Sequence, residues 1–329
     1  MPIPNDPENR HWVDISSANP ERVDDFCPCL VGFLAHDYGH KPDIAGTGFI
    51  TGAGADFSIV ITAKHVVTEG VLNIQRPVPR HAPSALFVPA SSKIPSLNEE
   101  KLRTFWVGSE NTDMLLVRHL SYHDSEDLAC CIVAPQKPYA TQFKPRPIPL
   151  DTARPSVGDV VHMVSQGGMK ISGYSPPTGV KGAGQRFMVH RNVSIRVGTV
   201  TAIYPQGFRQ YPWQCFTTSI PAEPGMSGGF VYLPREGSQI AACGIVCADN
   251  SIPEAHTNYL VCGESVIACA WVELSLPVPQ YHASDSPMYT LLEMMKTGAM
   301  IPAVGGIDHI QIIDRDDEGF TIERSDQKW

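Results

Sequence analysis

Short apolar or alternating runs, each closed by Gly, Pro, Asn or Asp, recur along the chain from Cys29 onward. Leu30-Val-Gly-Phe-Leu-Ala35, Phe57-Ser-Ile-Val-Ile-Thr62, Met114-Leu-Leu-Val117, Asp159-Val-Val-His-Met-Val164 and Val193–Ile203 are the clearest. Their β-branched content and punctuating turns predict strands, and their number predicts barrels or sandwiches. Long amphipathic helices are missing between them, which disfavours a parallel α/β sheet. One helical pattern stands out late, over Ser286–Lys296, where Ser286 can cap and Pro287 suits the first turn. Beyond it, Ile307–Arg324 alternates Ile, Phe and charge around Asp316-Asp-Glu-Gly319, the pattern of a hairpin. Residues 1–24 are polar and proline-broken and read as an extension with little core of its own. The proline-rich stretch Gln136–Pro149 reads as a linker between two strand-rich halves. The chain therefore divides into an extension (1–24), a first half (25–146), a second half (147–285) and a helix-and-hairpin tail (286–329).

Composition narrows the class of partner. The 329 residues carry 25 Lys+Arg against 34 Asp+Glu, a net charge of −9, which argues against nucleic acid or an anionic membrane as the main partner. Hydrophobic residues at 43% and charged residues at 18% exclude general disorder. No window approaches the roughly 18 consecutive apolar residues of a membrane-spanning helix. The start, MPIPNDPENRHWVD, has neither a basic nor an apolar leader region. Nine cysteines, an odd number in the spacing C-x-C, C-C and C-x3-C, fit buried reduced thiols better than disulfides or zinc knuckles. A cytoplasmic setting is the expectation. His36-Asp-Tyr-Gly-His40 reads as a loop rather than a metal pair, and Arg186, Arg191 and Arg196 read as a solvated strand face.

Three separated segments hold residue types that together perform acyl transfer. Ile59-Val-Ile-Thr-Ala-Lys-His65 is a strand running into a turn that ends on histidine. Asn111-Thr-Asp113-Met-Leu-Leu-Val117 sets an acid at the start of an apolar strand. Glu223-Pro-Gly225-Met-Ser227-Gly228-Gly229 sets a serine among glycines. A serine hydroxyl needs a base of near-neutral pKa to take its proton, and histidine supplies one. A carboxylate then fixes the imidazole tautomer. Glycines let backbone N–H groups turn toward a developing oxyanion, here those of Gly225 and Ser227.

Together the three segments resemble the trypsin-like (chymotrypsin-fold) serine peptidases. Thr62-Ala-Lys-His65 resembles the family's TAxH motif, Asp113-Met-Leu-Leu-Val117 its DxALL motif and Gly225-Met-Ser-Gly-Gly229 its GxSGG motif. The order His, Asp, Ser agrees as well, and Gly46-Thr-Gly-Phe49 and Gly244-Ile-Val246 extend the match over roughly residues 29–296. The resemblance implies an all-β fold of two six-stranded antiparallel barrels, over 25–146 and 147–285, with a C-terminal helix and short β tail. It implies His65, Asp113 and Ser227 as the triad and Gly225 with Ser227 as the oxyanion hole. Pro221, Ala222, Cys247, Ala248, Asp249 and Asn258 would line the substrate pockets. Val66 stands where secreted trypsins carry a cysteine, and Met226 where they keep the aspartate that receives a newly cut N-terminus. The pattern is thus nearer to bacterial and intracellular members.

No cofactor and no metal is implied. The expected partner is a protein or peptide substrate, with a regulatory protein partner to restrain the activity until a trigger such as bacterial stress or phage sensing. A protease-fold binding or scaffold protein with little turnover, and an esterase-like hydrolase using the same site, stay open as alternatives. P1 specificity is also open: Pro221 and Ala222 provide no acidic floor, while Asp249 and Glu254 could favour a basic residue.

Overall fold

The computed structural model describes residues 11–35, 41–68, 86–89, 102–107, 112–123, 126–135, 143–176, 186–208, 211, 213–249, 264–278, 289–297, 301, 303–304, 307–315 and 319–325. The first described elements are a two-residue strand, β1 (Val13–Asp14), and a short helix, α1 (Pro20–Phe26). Strands β2 (Leu30–Ala35), β3 (Asp43–Ala53) and β4 (Ser58–Thr62) follow, then the single-turn helix α2 (Lys64–Val67). After β5 (Leu86–Pro89) come β6 (Leu102–Val107), β7 (Thr112–Tyr122) and β8 (Ala129–Pro135). The order β2-β3-β4-β8-β7-β6 closes on itself through antiparallel pairing of β2 with β6. Closure removes the exposed sheet edge and packs Phe33, Phe49, Ile59, Ile61, Leu115 and Val133 into a continuous apolar interior.

The second half comprises β9 (Leu150–Asp151), β10 (Val160–Ser165), the hairpin β11 (Lys170–Ser175) and β12 (Arg186–His190), and β13 (Ser194–Tyr204). It continues with β14 (Cys215–Thr218), β15 (Phe230–Tyr232), β16 (Gly244–Asp249) and β17 (Ser265–Cys269). Six of these run β13-β10-β15-β16-β17-β14, and β14 pairs back onto β13, so this sheet also curls round to its own start. The two barrels meet through aromatic rings: Phe230 lies 5.3 Å from Phe49 and 5.7 Å from Phe26. The fold is the all-β double barrel expected from the sequence.

Three local expectations need correction. The N-terminal segment does more than extend: β1 pairs with β13, and Trp12, Ile15 and Val23 pack on the core. From Phe143 onward the proline-rich stretch is tied down, with Arg146 N–H donating to the Pro28 carbonyl (3.0 Å) and Ile148 N–H to that of Ile50 (2.7 Å). The late helix spans Leu291–Thr297 rather than starting at Ser286, which lies outside the described residues with Pro287. Tyr289–Thr290 is held extended against Pro277–Val278. The helix starts there because Thr290 and Glu293 form a reciprocal capping box: Thr290 N–H donates to Glu293 Oε2 (2.8 Å) and Glu293 N–H to Thr290 Oγ1 (3.1 Å). In the tail, Ile310–Arg315 and Gly319–Arg324 pair antiparallel, and the second of these strands also pairs with β5.

Candidate active site

β4 ends at Thr62, paired with Ala129 at the start of β8, so the turn after one strand faces the turn before the other. This register carries His65, on α2, to Asp127. Asp127 holds α2 at three points: its carbonyl accepts Lys64 N–H (3.1 Å), Oδ1 accepts His65 N–H (2.9 Å), and Oδ2 lies 2.7 Å from His65 Nδ1. The first two bonds satisfy N–H groups that a helix start leaves without intrahelical partners. The Asp127 side chain is 3% exposed and that of His65 17%, so one ring edge remains open.

Ser227 reaches the same place through Thr47 and Cys247. Thr47 N–H donates to the Ser227 carbonyl (2.8 Å) and Thr47 Oγ1 to the Gly225 carbonyl (2.7 Å). The Thr47 carbonyl in turn accepts Thr62 Oγ1 (2.6 Å), so one β3 residue ties the histidine strand to the serine loop. Cys247 lies between the other parts: its carbonyl accepts Ser227 Oγ (3.5 Å), and its thiol lies 3.6 Å from the Asp127 carbonyl. The loop turns on Gly225 (φ 89°) and Gly228 (φ 85°), both in the left-handed region. The Pro224 carbonyl accepts Gly168 N–H and the Met226 carbonyl accepts Gly229 N–H. In trans peptides, these bonds point Gly225 N–H and Ser227 N–H the opposite way, and neither is engaged by an acceptor among the described residues.

A sequence profile of the trypsin-like peptidase domain matches residues 46–241, more than half of the chain. The chain belongs to the trypsin-like peptidases. Compared with curated proteins by sequence, it finds no significant match. Among solved structures it is similar to an inactive serine-to-alanine mutant of Rv3671c from M. tuberculosis (16% identity, TM-score 0.42, 78% of this chain and 88% of that one). It is also similar to the apo MamO protease domain of Magnetospirillum magneticum (13% identity, TM-score 0.40, 75% and 94%).

In this trypsin-like peptidase the carboxylate on His65 is Asp127, where the sequence had pointed to Asp113. Asp113 sits on β7 opposite Trp106. β7 runs antiparallel to β8 with Tyr122, not Asp113, meeting Ala129 at the histidine end. Nine positions separate Tyr122 from Asp113, about 30 Å along the strand at 3.3 Å per residue. The side chain of Asp113 itself lies outside the described residues. A signal for Asp127 was present: Asp127-Leu-Ala129 satisfies the alanine of the acid motif, which Asp113-Met-Leu115 does not. Thr47, inside the glycine-flanked Gly46-Thr-Gly-Phe49, also builds the site, by tying the histidine strand to the serine loop.

Of the pocket candidates, Pro221, Ala222 and Cys247 are buried. Ala248 and Asp249 continue β16 opposite Val266 and Ser265, and their side chains, like all of Asn258, lie outside the described residues. Arg196 is not solvated: it is 6% exposed and faces Trp12. The eight described cysteines are buried and form no disulfide; Cys262 lies outside the described residues. Among the described residues no cluster of His, Cys, Asp and Glu is arranged to hold a metal, and no helix is long and apolar enough to cross a membrane.

Two features of the site carry measurable consequences. At Gly228 a Cβ would run into the Thr47 carbonyl oxygen and Thr62 Oγ1 at a φ that L residues rarely adopt. Gly228→Ala is therefore expected to cost more than about 4 kcal/mol of stability, read by urea denaturation. Glu126, next to Asp127, is buried, and its Oε2 has no hydrogen-bond partner among the described residues. Burial first, and the Asp127 charge second, hold its carboxyl well above the ordinary carboxylate range, with Lys64 opposing. In the unfolded chain Glu126 ionises near its ordinary value, about 4.3. Between that pH and its raised folded value the folded state holds the extra proton. Stability therefore falls with rising pH there, by up to about 1.4 kcal/mol per pH unit. Glu126→Gln should remove this component of the slope, seen in melting curves of both proteins from about pH 4 to pH 8.

Proposed function

We propose that the protein is a serine endopeptidase that cleaves protein substrates through an acyl-enzyme, with Ser227, His65 and Asp127 as its triad. The observation that carries the reading is the His65–Asp127 pair at 2.7 Å, with Nδ1 committed to the carboxylate and the imidazole edge still exposed. A neutral imidazole whose Nδ1–H donates to a carboxylate has Nε2 as its lone-pair nitrogen, the form a general base needs. His65 Nε2 takes the Ser227 hydroxyl proton as Oγ attacks the scissile carbonyl. The tetrahedral oxyanion is received by the N–H groups of Gly225 and Ser227. Collapse breaks the C–N bond, and His65 returns the proton to the departing amine. Water, deprotonated by His65, then releases the acyl group and restores Ser227.

Ser227 Oγ rests on the Cys247 carbonyl at a long 3.5 Å, so the hydroxyl must rotate toward His65 when substrate binds. This resting geometry fits an activity restrained until a substrate or a protein partner orders the site. A reducing, cytoplasmic setting fits eight buried cysteines without disulfides. The test is labelling of the purified full-length chain with a fluorophosphonate, followed by peptide mass spectrometry. An adduct on Ser227 that is absent from Ser227→Ala is the expected result. A protein that takes no label under any condition, with a trial set of peptides left uncut, would rule the reading out.

A further inference from the structure

A buried arginine must repay its lost hydration with directed contacts; Arg196 hydrogen-bonds on one side and meets a ring and a carboxylate on the other, where its Nε has no hydrogen-bond partner among the described residues. On one side its fork grips the loop that leads to the nucleophile: Nη1 donates to the Pro221 carbonyl (3.1 Å) and Nη2 to Glu223 Oε1 (2.8 Å). Glu223 opens the turn that sets Ser227, since its carbonyl accepts Met226 N–H (3.0 Å) and its own N–H lies 3.2 Å from Met226 Sδ. On the other side stands the N-terminal segment. Trp12 places its ring 5.0 Å from the Arg196 guanidinium carbon, and Asp14 Oδ2 lies 3.7 Å from Nε.

That segment is itself fixed to the second barrel. Beyond the pairing of Val13 and Asp14 with Val197 and Arg196, Ile15 N–H donates to the Ile195 carbonyl (2.9 Å) and Ile195 N–H to Ser16 Oγ (2.8 Å). Ser219 Oγ donates to the His11 carbonyl (2.8 Å), so the N-terminal segment also touches the chain just before the nucleophile loop.

The geometry points to Arg196 as a positioning residue for the Pro221–Ser227 loop, clamped in its working orientation by Trp12 and Asp14 of the chain's own N-terminal segment. The inference rests on the serine-peptidase reading and deepens it by naming what sets the oxyanion donors. Two bonds from one planar guanidinium, to backbone and side chain two residues apart, fix the loop's direction as well as its distance. The Trp12 ring covers the guanidinium and strengthens those bonds by excluding water. Pro221 and Pro224 have no N–H of their own; bonds from Thr47 and Gly168 hold the later part of the loop, and the Arg196 fork holds its start at Pro221 and Glu223. Without the clamp, the start of the loop that carries Gly225 N–H and Ser227 N–H loosens while the barrels stay folded.

The test uses full-length Arg196→Met and Trp12→Ala beside the wild type. Two quantities are read: the fluorophosphonate labelling rate of Ser227 at saturating probe, and amide hydrogen exchange of peptides covering 219–229. Arg196→Met should lower the saturating rate about 10²-fold, the cost of a reacting group displaced by about 1 Å. Trp12→Ala should lower it about threefold to tenfold. In both variants the amides of Met226, Gly228 and Gly229 should exchange faster, while peptides of β4 exchange as in the wild type. A wild type that labels, with variants matching its rate and its 219–229 exchange, overturns the inference. So does a variant whose labelling falls only in proportion to its unfolded fraction. A wild type that takes no label under any condition and leaves the trial peptides uncut, while the variants still loosen 219–229, removes the peptidase reading and leaves the clamp standing. The same silence with unchanged exchange removes both.

Discussion

Replacing Ser227 by alanine is expected to lower turnover about 10⁶-fold while leaving the fold in place, since removal of a triad serine elsewhere has that scale. The side chain is only partly buried, and its described hydrogen bond is the long one to the Cys247 carbonyl, so little stability is lost with the hydroxyl. The loop around it is held by backbone bonds that alanine keeps: Thr47 N–H to the Ser227 carbonyl and Gly228 N–H to the Val246 carbonyl. Steady-state hydrolysis of peptides and of an activated ester, measured on the wild type and the variant, separates three outcomes. Loss on both substrates supports a peptidase. Turnover of the ester alone, lost in the variant, supports an esterase-like site. A wild type no faster than the variant on either substrate would leave a protease-fold binding protein. Adding His65→Ala to Ser227→Ala should cost little more, because residues that transfer one proton act as a unit.

How far the sequence shows this arrangement differs from part to part. The barrels are legible because each strand advertises itself locally, through β-branched residues and closing turns, and because two closed sheets need no long-range information beyond their order. His65 and Ser227 are legible for a related reason. Each sits in a backbone setting that admits few residues, as Gly228 shows by the clash a Cβ would make. The acid is different. Asp113 and Asp127 both open apolar strands, and locally only the alanine of Asp127-Leu-Ala129 sets them apart. The pairing of β4 with β8 rather than with β7 decides which one meets His65, and that is a contact between residues 62 positions apart. Arg196 shows the same limit. An arginine in an alternating strand looks solvated until a segment more than 180 residues earlier folds over it, and Trp12-Val-Asp14 is too short to announce itself. The start of the late helix is ambiguous for another reason: Thr290-Leu-Leu-Glu293 spells a capping box in the sequence, but Ser286-Pro287 offers a competing start four residues earlier.

The second large effect follows from the acid. Asp127→Asn is expected to reduce turnover about 10⁴-fold near neutral pH, and Asp113→Asn to leave it at the wild-type level. Asparagine keeps the size of the side chain, and its carbonyl oxygen can still accept His65 N–H as Oδ1 does at 2.9 Å. Its amide NH2 then faces His65 Nδ1, where Oδ2 now lies at 2.7 Å. A donor in that position makes Nδ1 the acceptor and puts the ring proton on Nε2. The imidazole then offers Ser227 an N–H where the reaction needs a lone pair. The imidazolium that forms as Ser227 attacks also loses its counter-charge within a site where Asp127 is 3% exposed and little screened by water. Because the histidine stays in place, substrate affinity should change far less than the rate, so the loss belongs in kcat rather than KM. Measuring both parameters for the two variants decides between the carboxylates. A large kcat loss in Asp113→Asn with near-normal Asp127→Asn would return the role to Asp113. It would also require β7 to shift its register against β8 by most of its length, which the pairing from Leu115–Pro135 to Tyr122–Ala129, offset only once between Val117 and His119, opposes.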